Sequence, residues 1–152
     1  MRFNPNPENA SSSPEYWWAE AESCRAVITT LVKFGDMPIR QTVCDKCHAM
    51  LERAAKAILS EKGSLGDERS HNLRFLLKRA GVFNTLTLEQ QAFISDIATL
   101  HIAATYPDEL ETMRIWYSDD SYGLIVARSL RIYGVLRRSK GMYGQGGEDA
   151  CD

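Results

Sequence analysis

The sequence places two cysteines and a histidine close together, in the order Cys44, Cys47 and His48. This C-x-x-C-H order is the one that attaches c-type haem in exported proteins. Residues 1–20, however, contain neither the apolar core nor the small-residue cleavage site of a secretion signal. We therefore predict that the chain binds no haem and resides in the cytoplasm, where its cysteines stay reduced.

A zinc site is the other chemistry that cysteine and histidine can provide. Zinc takes about four protein ligands in a tetrahedron, and the sequence contains no second C-x-x-C or H-x-x-x-H pair to complete such a set. Cys47 falls on the apolar stripe of a predicted helix, Cys44 borders that stripe and His48 lies off it. We predict no metal and no cofactor, packed thiols at both cysteines, and a solvated side chain at His48.

The strongest candidate for ligand binding is His71, which lies between Arg69 and Arg74. A short helix is predicted from Ser70 to Ala80. This puts His71 in its first turn, where free backbone N–H groups attract phosphate. We predict that His71, Arg69 and Arg74 bind a phosphate-bearing ligand. The alternative is that His71 only caps or packs against the start of the helix.

A second set of candidates is aromatic, basic or at the edge of the core. Tyr106 can stack on a base or on a dimer partner, or it can close one end of the fold. Arg128 and Arg131 share one face of the last predicted helix, in a segment without Asp or Glu from 121 to 147. Such a basic face can follow a phosphate backbone, although a solvated helix surface has the same composition. His101 is predicted to be a core-edge histidine.

The composition describes a single domain. The 152 residues are 44% hydrophobic, which allows one sizeable core. The net charge of −2 is too small to indicate a class of binding partner. No segment approaches the roughly 18 apolar residues that a membrane-spanning helix needs, so we predict no membrane association. Residues 1–13 are rich in Asn, Pro and Ser, and residues 140–152 in Gly and acid. We predict flexible arms there, on either side of a domain over residues 14–139.

The hydrophobic periodicity predicts four longer helices and one short one, without strands. Ser13 and Pro14 provide an N-cap and a first-turn proline for the first helix, which should end at Gly35. The second helix should run from about Pro38 to Gly63. The predicted fold class is therefore all-α, an antiparallel bundle of these helices.

The later helices have their own boundary signals. The fourth should begin with a capping box, in which Thr87 and Gln90 exchange hydrogen bonds, and should end before Pro107. The last should begin at Ser118 and reach about Ser139.

Two adjacent tryptophans in the first helix cannot both face the core fully. Trp17 fits the apolar stripe. We therefore predict that Trp18 is partly exposed, or covered by a second subunit.

Four stretches of the sequence resemble, in order, parts of the HEPN domain family. The opening helix of that family is similar to YWWAEAESCRAV, and its long second helix to LERAAKAIL. Its short H-D-L-x-x-L-L helix is similar to SHNLRFLL, and the R-Y-P turn that ends its fourth helix to TYPDE. The resemblance spans about residues 16–138. It implies an antiparallel bundle, commonly a homodimer, whose relatives act as ribonucleases or bind nucleotides.

The chain departs from the family pattern at two points. The ribonuclease branch carries an arginine, four to six residues and then a histidine on one helix. No arginine stands at that spacing before His48, His71 or His101. In addition, Thr105 occupies the position where the family commonly has an arginine before Tyr-Pro. The sequence therefore lacks the complete catalytic set, and we predict binding rather than catalysis.

The predicted function is binding of nucleotide or RNA phosphate by a HEPN-like domain. The resemblance implies a toxin–antitoxin type of pair with a nucleotidyltransferase-like protein. Two alternatives stay open: a noncatalytic dimer that docks such a partner, and a ribonuclease toxin with an unusual site built on His71 or His101.

Overall fold

The structure is a computed structural model that describes residues 13–103 and 117–142. Its described part consists of five α-helices and one 3-10 turn, with no β-strand. They are α1 (Pro14–Leu31), α2 (Met37–Glu61), α3 (Leu73–Arg79), the turn η1 (Phe83–Thr85), α4 (Leu88–Ala103) and α5 (Asp119–Arg138). The predicted all-α class is confirmed.

Several helix boundaries follow from local hydrogen bonds. The Ser13 hydroxyl accepts from the Tyr16 N–H at 3.2 Å and caps α1. At the start of α4, the Thr87 N–H donates to Gln90 Oε1 at 3.0 Å and the Gln90 N–H donates to Thr87 Oγ1 at 3.1 Å. Gly63 follows α2 with φ at +68°, a conformation that a Cβ atom disfavours. The predicted cap, capping box and glycine stop are confirmed.

Two boundaries differ from the prediction. α1 ends at Leu31 rather than at Gly35. α3 starts at Leu73 because Asn72 caps it, its side-chain oxygen accepting from the Phe75 N–H at 3.0 Å. His71 therefore precedes the cap, and the prediction that it lies in the first helical turn is wrong. Phosphate binding at His71 needs another physical basis.

α2 is the central helix, in contact with the other four α-helices. It runs antiparallel to α1. Near the end of α2, Glu61 Oε1 accepts from Trp18 Nε1 at 2.8 Å, early in α1. Further back along α2, Arg53 Nη1 donates to Cys24 Sγ at 2.9 Å, later in α1. The long α2 therefore presents different faces to different neighbours, and this brings residues from distant parts of the chain together.

α5 runs in the same direction as α2. Arg40 at the start of α2 forms an ion pair with Asp119 at the start of α5. Glu61, at the end of α2, accepts from the Gly141 N–H just beyond α5 at 2.9 Å. α4 runs the other way, since the ring of His101 near its end stacks beside the N-terminal half of α2. The four longer helices thus alternate in direction.

Trp18, rather than Trp17, is the more deeply buried of the two tryptophans, although Trp17 also packs against the core. Trp18 is 2% exposed, and Glu61 satisfies its indole N–H. Trp17 is half-buried, and Lys56 Nζ lies 5.2 Å from its ring centroid. The prediction that Trp18 faces outward or meets a second subunit is wrong, because Glu61 on α2 provides the polar partner that makes its burial favourable.

The cysteines pack as small apolar side chains. Cys24, Cys44 and Cys47 are all buried. Burial raises the pKa of the Cys47 thiol to about 12 and that of Cys44 above its ordinary value as well. These thiols therefore stay protonated in the core. Across the described residues, no helix is long and apolar enough to cross a membrane.

Candidate functional site

A polar cluster interrupts the apolar packing along one face of α2. Its α2 members are spaced three and four residues apart, which places them on one side of the helix. The chain's three histidines all belong to it. We call this group the Glu52 cluster: Asp45, His48, Glu52 and Lys56 from α2, His71 from the loop before α3, and His101 from α4.

Glu52 is the centre of the cluster. Its Oε1 atom lies 2.6 Å from His71 Nδ1 and 3.2 Å from Lys56 Nζ. Its Oε2 atom lies 3.7 Å from His48 Nδ1. Glu52 is 9% exposed and Lys56 is 5% exposed. One largely buried carboxylate thus faces three basic groups.

Glu52 is held in its ionised form. Burial by itself raises the pKa of this carboxyl group, but the hydrogen bond from His71 and the charge of Lys56 outweigh burial, so the pKa lies below its ordinary value. An ionised carboxylate can only accept hydrogen bonds. His71 Nδ1 must therefore carry a proton and donate it to Glu52.

The other edge of the His71 ring is available to a ligand. The His71 side chain is 75% exposed even though Nδ1 contacts a buried carboxylate. The ring is thereby fixed at one nitrogen and presents Nε2 outward. This is the arrangement of an oriented imidazole, in which a carboxylate sets both the tautomer and the direction of the ring.

His48 is a core residue, and its prediction as a solvated side chain is wrong. It is 2% exposed, and its ring lies parallel to that of His101, with 4.0 Å between centroids. Burial and the neighbouring His101 lower the pKa of His48 to about 4. His48 is therefore neutral near pH 7. The prediction failed because α4 covers the side of α2 on which His48 lies.

His101 connects the cluster to solvent. Its side chain is 42% exposed, and its Nδ1 atom lies 3.8 Å from Asp45 Oδ1. This partly exposed position matches the core-edge environment predicted for it.

The two arginines predicted to act with His71 are exposed and lie in the same segment of the chain. The Arg74 guanidinium carbon is 5.6 Å from the centroid of the Phe83 ring, a distance at which a cation is attracted to the ring face. Arg69 belongs to the loop before α3. Tyr106, the fourth predicted ligand-binding residue, lies outside the described residues.

The second predicted basic face lies elsewhere, between α4 and α5. Arg128 and Arg131 both line a cavity there, which includes none of the Glu52 cluster. Arg128 Nη2 is 2.9 Å from Glu89 Oε1. Glu89 on α4 thus offsets part of the positive charge of α5, which carries no acid after Asp120.

Sequence reasoning missed Glu52 and Lys56. A signal for them was present, since Asp45, His48, Glu52 and Lys56 recur at helical spacing beside the apolar stripe of α2. That spacing shows that the four residues share one side of the helix, but it does not show that this side is buried. Within residues 13–103 and 117–142, no group of three or more His, Cys, Asp or Glu side chains is arranged to hold a metal ion.

A comparison with protein families identifies the domain. The family model described as the HEPN domain matches residues 14–137 of the 152-residue chain. The chain belongs to the HEPN domain family. The matched range includes every member of the Glu52 cluster, and it relates this helical domain to nucleotide and RNA functions. No curated protein and no solved structure matches the chain.

Proposed function

We propose that this HEPN domain binds a phosphate group of a nucleotide or RNA at the exposed edge of His71, with Arg69 and Arg74 as flanking cations. One observation carries the proposal: His71 Nδ1 is fixed by the buried Glu52 carboxylate at 2.6 Å, while three quarters of the His71 side chain is exposed. The hydrogen bond to Glu52 therefore replaces the helix terminus as the physical basis for phosphate binding at His71.

Fixing the ring favours binding because less rotational freedom is lost when a ligand arrives. A phosphate oxygen can accept from the outward nitrogen of an imidazolium and from a guanidinium. Each such charge-assisted contact is worth roughly 1.5 to 3 kcal/mol before the cost of association is subtracted. Two or three contacts of this kind would give weak binding whose affinity falls as the salt concentration rises.

The Glu52 charge does not oppose this ligand strongly. Lys56 Nζ shares the same carboxylate oxygen with His71, so a positive charge accompanies the negative one inside the cluster. The positive charge of Lys56 therefore reduces the repulsion between the Glu52 carboxylate and a phosphate bound at the outer edge of His71. Lys56 is assigned the role of neutralising Glu52 rather than of contacting ligand, since it is 5% exposed.

The test is a fluorescence anisotropy titration with a labelled short single-stranded RNA at low salt, with ATP as a competitor. His71→Ala should weaken binding at least about tenfold, which corresponds to about 1.4 kcal/mol. Arg138→Ala, which removes an exposed arginine at the end of α5, is the matched control and should leave the affinity near that of the unchanged protein. Equal affinities for His71→Ala and the unchanged protein would refute the assignment.

Ribonuclease activity is the second candidate, and the same carboxylate–imidazole pair favours it. In its neutral form, His71 Nε2 can accept the proton of an RNA 2′-hydroxyl. The 2′-oxygen then attacks the adjacent phosphorus, the bond to the 5′-oxygen breaks, and that oxygen takes a proton from water. Incubation of RNA with the protein should give 2′,3′-cyclic phosphate ends that disappear in both His71→Ala and Glu52→Gln. RNA that stays intact with the unchanged protein excludes this candidate.

Family membership supports a further proposal, which concerns a protein partner. We propose a homodimer that pairs with a nucleotidyltransferase-like protein in a toxin–antitoxin arrangement. Light scattering at micromolar concentration should give twice the chain mass, and co-expression with a neighbouring nucleotidyltransferase should give a complex that survives gel filtration. A monomer that elutes apart from the partner would exclude this arrangement.

A further inference from the structure

A cavity of about 620 Å³ lies between α4 and α5. Its volume falls within the roughly 300 to 1,000 Å³ that small-molecule sites occupy. Phe93, Leu124 and Ile132 contribute apolar walls, and Arg128 and Arg131 contribute guanidinium groups. Apolar walls beside two cations distinguish this cavity from an ordinary solvated helix surface.

The polar part of the cavity is rich in hydrogen-bond donors. Gln90 also lines it, and because its Oε1 atom accepts from the Thr87 N–H in the capping box, the Nε2 group is the part of that amide with donors to offer. Among the described residues, no carboxylate lies within ion-pair distance of Arg131. A ligand that fits these groups must supply acceptors, and preferably a negative charge.

Glu89 is the acidic residue of the lining, and it is poorly placed to neutralise the site. Its contact with Arg128 is 2.9 Å, but the side chains are 74% and 42% exposed, respectively. An ion pair in contact with this much water is weak. An incoming anion can therefore displace Glu89 from Arg128 at little cost.

Part of the apolar wall of the cavity is exposed to water, and a bound ligand would cover it. Leu124 is 51% exposed although it lies on the helix that forms one wall. Phe93 and Ile132 are nearly buried and form the floor. A flat ring placed over this floor and against Leu124 would remove apolar surface from water on the ligand and on the exposed side of Leu124.

We propose that this cavity binds an anion with a flat apolar body, in which an aromatic ring packs on Leu124 and Phe93 and a phosphate or carboxylate group contacts Arg128 and Arg131. Glu89 competes with that anion for Arg128 and limits its affinity. This cavity is separate from the proposed phosphate site at His71. The ligand contacts proposed at His71 come from charged groups and include no apolar wall.

The probe is 1-naphthyl phosphate, titrated by calorimetry into the His71→Ala variant so that the proposed phosphate site does not contribute. Binding should be saturable, and inorganic phosphate should bind at least tenfold more weakly because it lacks the apolar body. A parallel titration with 1-naphthoate distinguishes the two anion classes, since the tighter of the two probes identifies the group that the arginines prefer.

Two substitutions should act in opposite directions. Arg131→Gln should weaken 1-naphthyl phosphate about tenfold, and Glu89→Gln should strengthen it about threefold by releasing Arg128. Arg138→Gln, on the same helix outside the cavity, is the control and should change nothing. All three residues have partly or largely exposed side chains, and circular dichroism should show unchanged helix content.

The proposal is overturned by any of three results: no saturable binding of 1-naphthyl phosphate, equal affinity for inorganic phosphate, or an Arg131→Gln variant that binds as well as its parent. Because the titrations use His71→Ala, their failure leaves the proposed RNA or nucleotide site untouched. Loss of RNA binding in His71→Ala, in turn, says nothing against this cavity.

Discussion

The molecule pairs a glutamate with a cation in two contrasting regions. In the Glu52 cluster the side chain of Glu52 is 12% exposed and faces Lys56, His71 and His48. At the cavity between α4 and α5, the side chain of Glu89 is 74% exposed and faces Arg128. Distance alone does not separate these pairs, since 3.2 Å and 2.9 Å are similar. Burial does, because charges are screened far less in the interior than in water.

This difference in burial gives the two regions different roles. A buried charge must keep its partners, so Glu52 fixes the orientation of the residues around it. An exposed pair can open, so Arg128 stays available to a competing anion. Substitutions should therefore affect stability strongly in the first region and ligand affinity mainly in the second.

The largest effect is expected from Glu52→Ala. This substitution leaves the Lys56 ammonium group buried without its carboxylate, and breaking a buried pair in this way costs about 3 to 5 kcal/mol of unfolding free energy. Urea denaturation measures it. Adding Lys56→Met should restore part of the loss, since the unpaired charge is then gone. A loss below about 1 kcal/mol in Glu52→Ala would show that the cluster is effectively solvated.

The next effect is a pH dependence that originates at His48. Its folded pKa of about 4 lies below the ordinary value of 6.5. Above pH 6.5 the residue is neutral in both states. As the pH falls from 6.5 to 4, the unfolded chain gains a proton that the folded chain does not, so stability falls by an amount on the order of 3 kcal/mol.

Denaturation series from pH 7 to pH 4 should show this loss, and His48→Gln should flatten it because glutamine does not titrate. Glu52, which faces His48, has a pKa below its ordinary value of 4.5, so its own contribution begins to be lost only near the acidic end of the series and continues at lower pH. Identical pH profiles for His48→Gln and the unchanged protein would mean that the pKa of His48 is the same in the folded and unfolded states, and that burial does not lower it.

A smaller effect is expected where α4 begins, beside the cavity. Thr87→Ala removes the hydroxyl that accepts from the Gln90 N–H, and loss of an N-cap costs typically about 1 kcal/mol. Thr99→Ala is a matched control, because the Thr99 hydroxyl bonds only the Ser95 carbonyl on an exposed helix face. Thermal unfolding should separate the two variants, and equal melting temperatures would contradict the role of the capping box.

The smallest effect is expected from Glu89→Gln. The exposed pair with Arg128 contributes about 0 to 1 kcal/mol, so urea denaturation should give a stability within about 0.5 kcal/mol of the unchanged protein. A loss approaching that of Glu52→Ala would remove the contrast between the two regions, and with it the argument that Arg128 is free to bind an anion.

Local signals in the sequence predicted most of the fold. Ser13, Thr87 with Gln90, and Gly63 each mark a helix boundary through interactions between residues close in sequence. Such interactions can be recognised without knowing the tertiary arrangement. Two boundaries were exceptions: α1 ends at Leu31 rather than at Gly35, and α3 begins after an Asn72 cap rather than at Ser70. Both residue types favour helix starts, and the sequence did not distinguish them.

The candidate site was predictable only in part. The sequence singled out His71, but it placed this residue in a helical turn that the structure does not have, and the orientation of the ring depends on Glu52, which lies 19 positions away along the chain. His48 and Trp18 were misjudged for a related reason. Helical spacing indicates which residues share a face, whereas the burial of a second face depends on which other helices pack against it.

The amino-acid sequence was sufficient to establish the helices, the all-α class and the HEPN family, because periodicity, caps and ordered motifs are properties of neighbouring residues. The packing of α2 among its four neighbours determined that three histidines, a lysine and two carboxylates form one cluster. The packing of α4 beside α5 determined that Arg128 and Arg131 line a cavity. The physical reason is that desolvation and charge pairing depend on distances between segments, which the order of residues along the chain does not specify.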